Sequence, residues 1–125
     1  MQVHNVSLTD SEWSIMECLW DEAPKTVMQL VNLQKERVGW AKSTTTTTVS
    51  RMEAKGLIYY ENGIKARLYF PNVNREAAVI DETTNFLNKV YRGSVGMMMS
   101  TMIERSKLSE DDIRELYDII KKAEE

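Results

Sequence analysis

The sequence predicts a mainly α fold carrying one small β-hairpin, and three observations lead there. Thr9-Asp10-Ser11-Glu12 and Thr26-Val27-Met28-Gln29 are two capping boxes, each opening an amphipathic segment. Asn62-Gly63 lies between two runs rich in β-forming residues, the pattern of a hairpin. Between these signals, Lys42-Ser43-Thr44-Thr45-Thr46-Thr47-Thr48-Val49-Ser50-Arg51-Met52 carries its inward candidates at helical spacing.

That last stretch organises the rest. Five threonines and a valine in a row are β-branched and favour a strand. Yet Thr45, Thr48, Val49 and Met52 fall at i, i+3, i+4 and i+7, the stripe of a helix with one buried face. Lys55 followed by Gly56 reads as a helix end with a left-handed cap. The opposite face then carries Ser43, Thr47 and Ser50, flanked by Thr44, Thr46 and Arg51. Each threonine costs roughly 0.5 kcal/mol of helix propensity relative to Ala, so five cost about 2–3 kcal/mol. A face kept only for stability would use Ala, Glu or Lys. Ser and Thr can instead hydrogen-bond base edges or phosphates, and a Thr methyl packs on a thymine methyl. The expectation is a recognition helix; the alternatives are a polar loop or an ordinary surface helix of poor propensity.

Taking the elements in order, Leu8 is placed as a hydrophobic staple for a first helix whose buried stripe is Trp13, Met16 and Trp20 with Leu19 alongside. Cys18 falls off that stripe and reads as a passive small residue. Asp21-Glu22-Ala23-Pro24 ends the helix. The second helix runs from the Thr26 cap to about Arg37, with Val27, Leu30 and Val31 inward, and Val38-Gly39-Trp40 leads tightly into the threonine helix. Three helices with short links, the third presenting polar side chains, describe a helix-turn-helix. Leu57-Ile58-Tyr59-Tyr60 and Ala66-Arg67-Leu68-Tyr69-Phe70 follow as two strands around the Asn-Gly turn. A hairpin in that place is a wing, its tip carrying Lys65 and Arg67 toward a phosphate backbone.

After Pro71 the period returns to helical. Ala77, Ile80, Leu87, Val90 and Tyr91, with Phe86 beside them, mark a long helix ending at Gly93. A second helix from about Ser94 holds Val95, Met97, Met98, Met99, Met102 and Ile103. Leu108-Ser109-Glu110-Asp111-Asp112 caps a third, with Ile113, Leu116, Tyr117 and Ile120 apolar. The full expectation is a winged helix-turn-helix DNA-binding domain over residues 1–73, followed by a helical dimerisation domain over 74–125. About fifty residues of amphipathic helix cannot easily bury this surface alone, whereas a second copy would cover it. Unbranched methionines suit such an irregular interface. The expected dimerisation residues are Ile80, Leu87, Tyr91, Met98, Met99, Met102, Ile103, Ile113, Leu116, Tyr117 and Ile120.

Composition narrows the function. The 125 residues, 42% hydrophobic, suit one compact domain, or one small domain with an accessory element. No apolar run approaches the roughly 20 residues of a membrane span, so no membrane insertion is expected. Met1-Gln2-Val3-His4-Asn5 lacks the basic and apolar regions of a signal peptide, so a cytoplasmic location is expected. One cysteine permits no internal disulfide and no multi-cysteine metal cluster, and one histidine, His4 near the chain start, argues against histidine catalysis. Asp111, Asp112 and Glu115 suit capping and dipole roles at a helix start. Neither an enzyme, a metal nor any cofactor is expected.

The net charge of −3 hides an asymmetry. Residues 74–125 hold eight basic and eleven acidic side chains, while 35–67 hold seven basic (Lys35, Arg37, Lys42, Arg51, Lys55, Lys65, Arg67) and three acidic ones. The basic excess surrounds the threonine helix, where a phosphate-facing surface needs it. The expected DNA-binding residues are therefore Lys42, Ser43, Thr44, Thr46, Thr47, Ser50, Arg51, Lys65 and Arg67.

The order of these elements and several local strings resemble the BlaI/MecI family of penicillinase and methicillin-resistance repressors. The strings are Leu8-Thr9-Asp10-Ser11-Glu12-Trp13 with Met16 and Leu19-Trp20; Trp40 four residues before Thr44; and Thr44, Thr47 and Arg51 in the third helix. Lys55-Gly56-Leu57-Ile58 follows, then Phe86-Leu87, Val90-Tyr91 and Gly93, and Leu108-Ser109 ahead of Ile113 and Leu116. The resemblance covers about residues 7–121. It implies a dimeric winged-helix repressor on an inverted-repeat double-stranded operator, regulating antibiotic resistance genes. Departures accompany it: Ser43 or Thr46 stands where the family usually has Lys or Arg, and Ala41 replaces the usual capping Ser. Family members answering β-lactams are cut by a membrane sensor-protease at an Asn-Phe bond, whose counterpart here is Thr101-Met102. The paired Cys-x-Cys of the copper-responsive branch is missing. The competing expectation is a dimeric winged-helix adaptor that binds proteins and not DNA.

Overall fold

The structure, a computed structural model, describes residues 7–105 and 108–125. His4 lies outside the described residues. The element order is α1 (Asp10–Asp21), α2 (Val27–Val38), α3 (Lys42–Ala54), β1 (Ile58–Asn62), β2 (Arg67–Pro71), α4 (Arg75–Tyr91), α5 (Val95–Arg105) and α6 (Glu110–Glu124). The chain divides into two compact units, one up to Thr83 and one from Thr84 to Glu125, the division falling inside α4.

Both N-terminal capping boxes form. Thr9 Oγ1 accepts from the Glu12 amide while Glu12 Oε1 accepts from the Thr9 amide, and Thr26 and Gln29 do the same for α2. The first unit is cored by Ile15, Met16, Leu19, Leu30, Val49, Met52, Ile58 and Tyr69. On α1 the buried stripe differs from the expected one. Glu12, Ile15, Met16, Cys18 and Leu19 are inward, while Trp13 and Trp20 are only half-buried and meet edge to face at 5.3 Å. The indoles sit at the rim because each N–H needs a polar partner: Trp13 Nε1 donates to Glu17 and Trp20 Nε1 to the Val73 carbonyl. Cys18 is thus a core residue. Its thiol donates to Gln34 Oε1 at 3.3 Å, and burial pushes its pKa up. Gln34, fully buried, passes the network on to Ser14 at 2.7 Å. On α2, Leu30 and Val31 are buried and Val27 half-buried.

The wing is a two-stranded antiparallel sheet in which Tyr59 faces Phe70, Tyr60 faces Tyr69 and Asn62 faces Arg67. Tyr59 and Phe70 stack at 5.3 Å. The hairpin connection is residues 63–66, not a turn centred on Asn62-Gly63, because Asn62 stays paired as the last rung. Gly63 is required for close approach: a Cβ there would lie 2.6 Å from the Ala66 carbonyl oxygen, to which the Gly63 amide donates across the loop. A third chain segment completes the sheet. Lys25, between α1 and α2, exchanges both main-chain hydrogen bonds with Tyr69, at 2.8 and 3.1 Å.

In the second unit, α4 ends where Arg92 and Gly93 adopt left-handed backbone, with φ of 51° and 84°. Ser109 and Asp112 form a third capping box at α6. Neither α5 nor α6 has a buried residue. Leu87, Tyr91, Met98, Met99 and Leu116 are half-buried, whereas Met102, Ile103, Ile113, Tyr117 and Ile120 are exposed, as is Ile80 on the α4 residues of the first unit. Met99, Ile103, Ile113, Leu116, Tyr117 and Ile120 line an apolar groove of about 330 Å³. Among the described residues no helix is long and apolar enough to cross a membrane, and no cluster of His, Cys, Asp or Glu could hold a metal ion.

Candidate nucleic-acid interface

The threonine stretch is wound as helix α3, and the residues facing inward are Thr45, Thr48, Val49 and Met52. Gly56, at φ 78°, ends it: the Gly56 amide returns to the Glu53 carbonyl and the Leu57 amide to Met52, a Schellman closure that hands the chain to β1. At the other end Ala41 offers no side-chain cap, as its residue type dictates.

Tertiary packing overrides strand propensity here, because one face of α3 completes the core between α1 and α2. Ser43, Thr44, Thr47, Ser50 and Arg51 are exposed on the other side, and Thr46 is half-buried. Two threonines satisfy themselves within the helix. Thr46 Oγ1 donates to the Ser43 carbonyl at 3.2 Å and Thr48 Oγ1 to the Thr44 carbonyl at 2.7 Å. The hydroxyls of Ser43, Thr44, Thr47 and Ser50 have no protein partner among the described residues, so both donor and acceptor remain for a ligand.

Among the described residues Lys42, Arg51 and Lys65 make no ion pair. Lys65 is exposed in the wing loop. Arg67 is not at the tip with it. It is the first residue of β2, and its guanidinium lies 4.2 Å from the centre of the Tyr60 ring, held there by the ring's negative face. Arg67 remains exposed and charged, but on the strand and with its orientation fixed.

Two further residues, which the residue pattern did not single out, stand beside this face. Lys55 Nζ pairs with Glu12 Oε2 at 2.6 Å, joining the end of α3 to the start of α1. Burial pulls the Glu12 carboxyl upward, but the hydrogen bonds from Lys55 and from the Thr9 amide outweigh it and hold Glu12 below its ordinary value of 4.5. Glu12 was legible only as a capping residue; its charge partner is 43 positions away. Beside this pair lies an open cleft of about 570 Å³ lined by Thr9, Ser11, Glu12 and the edge of α3.

The chain is similar to the methicillin resistance regulatory protein MecI of Staphylococcus aureus (strain N315), with 27% identity over 118 residues, 92% of this chain and 94% of that one. It is similar to the penicillinase repressor of Bacillus licheniformis, with 24% identity over 113 residues, 90% and 88% of the two chains. The solution structure of monomeric Bacillus licheniformis BlaI in complex with the blaP half-operator shares the fold, with a TM-score of 0.53 at 18% identity over 62% of this chain and 93% of that one. Residues 8–122 match the penicillinase repressor family, and with nearly the whole length matched the chain belongs to that family.

Proposed function

We propose that this DNA-binding repressor acts in the cytoplasm as a homodimer on an inverted-repeat operator. Each protomer lays α3 in a major groove, with Ser43, Thr44, Thr46, Thr47 and Ser50 toward base edges and Lys42, Arg51, Lys65 and Arg67 toward phosphates. The observation that carries this reading is the helical state of α3, with its unsatisfied hydroxyls and the unpaired Arg51 on one exposed face. The back-bonded hydroxyl of Thr46 has given up its hydrogen and can only accept from a base amino group. Uncharged Ser and Thr make specificity depend on thymine methyls and on DNA shape. The apolar groove between α5 and α6 and the exposed side chains around it support pairing with a second copy. In that arrangement half-sites lie about 10 bp, or a multiple, apart.

Control by a membrane sensor-protease belongs to the same proposal. Thr101 and Met102 are exposed in the middle of α5, so cutting their bond requires this helix to open locally.

A gel-shift titration over salt, on a duplex carrying the inverted repeat from the promoter next to the coding sequence, tests the reading. Four cations per protomer give a dimer a log–log slope of roughly −7. Thr47→Ala and Arg51→Ala each weaken binding. A slope near zero, or full activity in both variants, would instead favour the protein-binding adaptor.

A further inference from the structure

Ser43, Thr47, Arg51 and Lys55 recur every fourth residue along α3 and its C-cap, with Thr44 and Thr48 beside them, and form one edge of the helix. The start of α1 stands against that edge and encloses the 570 Å³ cleft with it. On the opposite edge Glu53 accepts a hydrogen bond from the Tyr69 hydroxyl of the wing. The recognition helix is therefore flanked by the wing on one side and by the cleft on the other.

A helix in a major groove about 12 Å wide has a phosphate backbone along each rim. The wing, with Lys65, serves one rim. We propose that the cleft seats one phosphodiester of the other rim, held by Arg51, Lys55 and the hydroxyls of Ser11 and Ser43. This assignment rests on the DNA-binding reading, adds Ser11 and Lys55 to it and turns the Ser43 hydroxyl from the base edges to the backbone.

The chemistry of the lining fits a singly charged oxyanion. Arg51 is unpaired, and the exposed Ser11 and Ser43 hydroxyls are free to donate. Glu12, which would otherwise repel an anion, is 4% exposed and has both oxygens engaged, one by the Thr9 amide and one by Lys55. Its role is to hold the Lys55 ammonium at the cleft wall. Arg51, Lys55 and Glu12 together leave one positive charge, which matches one phosphodiester.

The test is a set of operator duplexes in which single phosphates are replaced, one at a time, by neutral methylphosphonates, each titrated with the wild-type chain and with Ser11→Ala. At one phosphate per half-site the replacement weakens the wild type about tenfold, and there Ser11→Ala, itself about fivefold weaker on the natural duplex, adds little further loss. Arg51→Gln lowers the salt slope by about 2 per dimer, while Ser11→Ala leaves it unchanged. A wild type that binds while Ser11→Ala is silent, or additive at every phosphate, overturns the cleft assignment alone. A wild-type chain that shifts no operator duplex overturns the repressor reading and the cleft with it.

Discussion

Tyr69 donates its hydroxyl hydrogen to Glu53 at 2.9 Å, so the second strand of the wing is clipped directly to the last turn of α3. Tyr69→Phe keeps the ring packed on Tyr60 and removes this bond together with the hydroxyl's contact to Arg67, and is expected to cost about 1–2 kcal/mol. Burial, reinforced by the Glu53 carboxylate, raises the Tyr69 phenol above its ordinary value of 10.0. Its contribution to stability is fully present below pH 10 and is lost as pH rises through the raised value. Urea unfolding followed from neutral to alkaline pH should show this loss in the wild type and its absence in Tyr69→Phe.

Glu12 sets the acid limb. Its folded-state pKa is depressed, so the stability it supplies is present above its ordinary value of 4.5 and disappears as pH falls through the depressed one. Glu12→Gln can still close the capping box but loses the charge opposite Lys55. It should be less stable at pH 7 by about 1–2 kcal/mol. The gap to wild type should close as pH falls below 4.5 and through the depressed value in denaturant titrations; an unchanged gap would mean the pair contributes nothing through charge.

Thr45 is fully buried and its Oγ1 has no hydrogen-bond partner among the described residues. Thr45→Val exchanges that hydroxyl for a methyl of nearly the same size, which should stabilise the domain by about 1 kcal/mol. Calorimetry would read the change as a rise in Tm of a few degrees. A lower Tm would reveal a partner for the hydroxyl.

Ile113 and Ile120 line the apolar groove of the second unit. Glutamate at both places should leave the helical signal in circular dichroism intact while sedimentation shows a monomer. Operator affinity should then fall at least tenfold, with binding to an isolated half-site retained, because only the linkage between half-sites is removed. A doubly substituted chain that still sediments as a dimer would place the interface elsewhere.

The sequence made the helical elements readable wherever a local rule applied. The two capping boxes, the cap at Ser109, the left-handed Gly56 and the Thr45, Thr48, Val49 and Met52 stripe are all short-range patterns, and each is present. Non-local relationships were not readable. Cys18 and Gln34 are core residues because each satisfies the other across two helices, which a one-helix stripe of apolar residues cannot reveal. Asn-Gly marked the hairpin correctly, but glycine serves there for lack of a Cβ and not for positive φ, and the first strand runs on to Asn62, which pairs with Arg67. Lys55 was visible as a basic residue, but its partner in the first turn of α1 was not.

The pairing of Lys25 with Tyr69 is made entirely by main-chain atoms. Side-chain replacement at either position leaves those atoms in place, proline excepted. The attachment between the α1–α2 connection and the wing is thus indifferent to which side chains stand at its two ends.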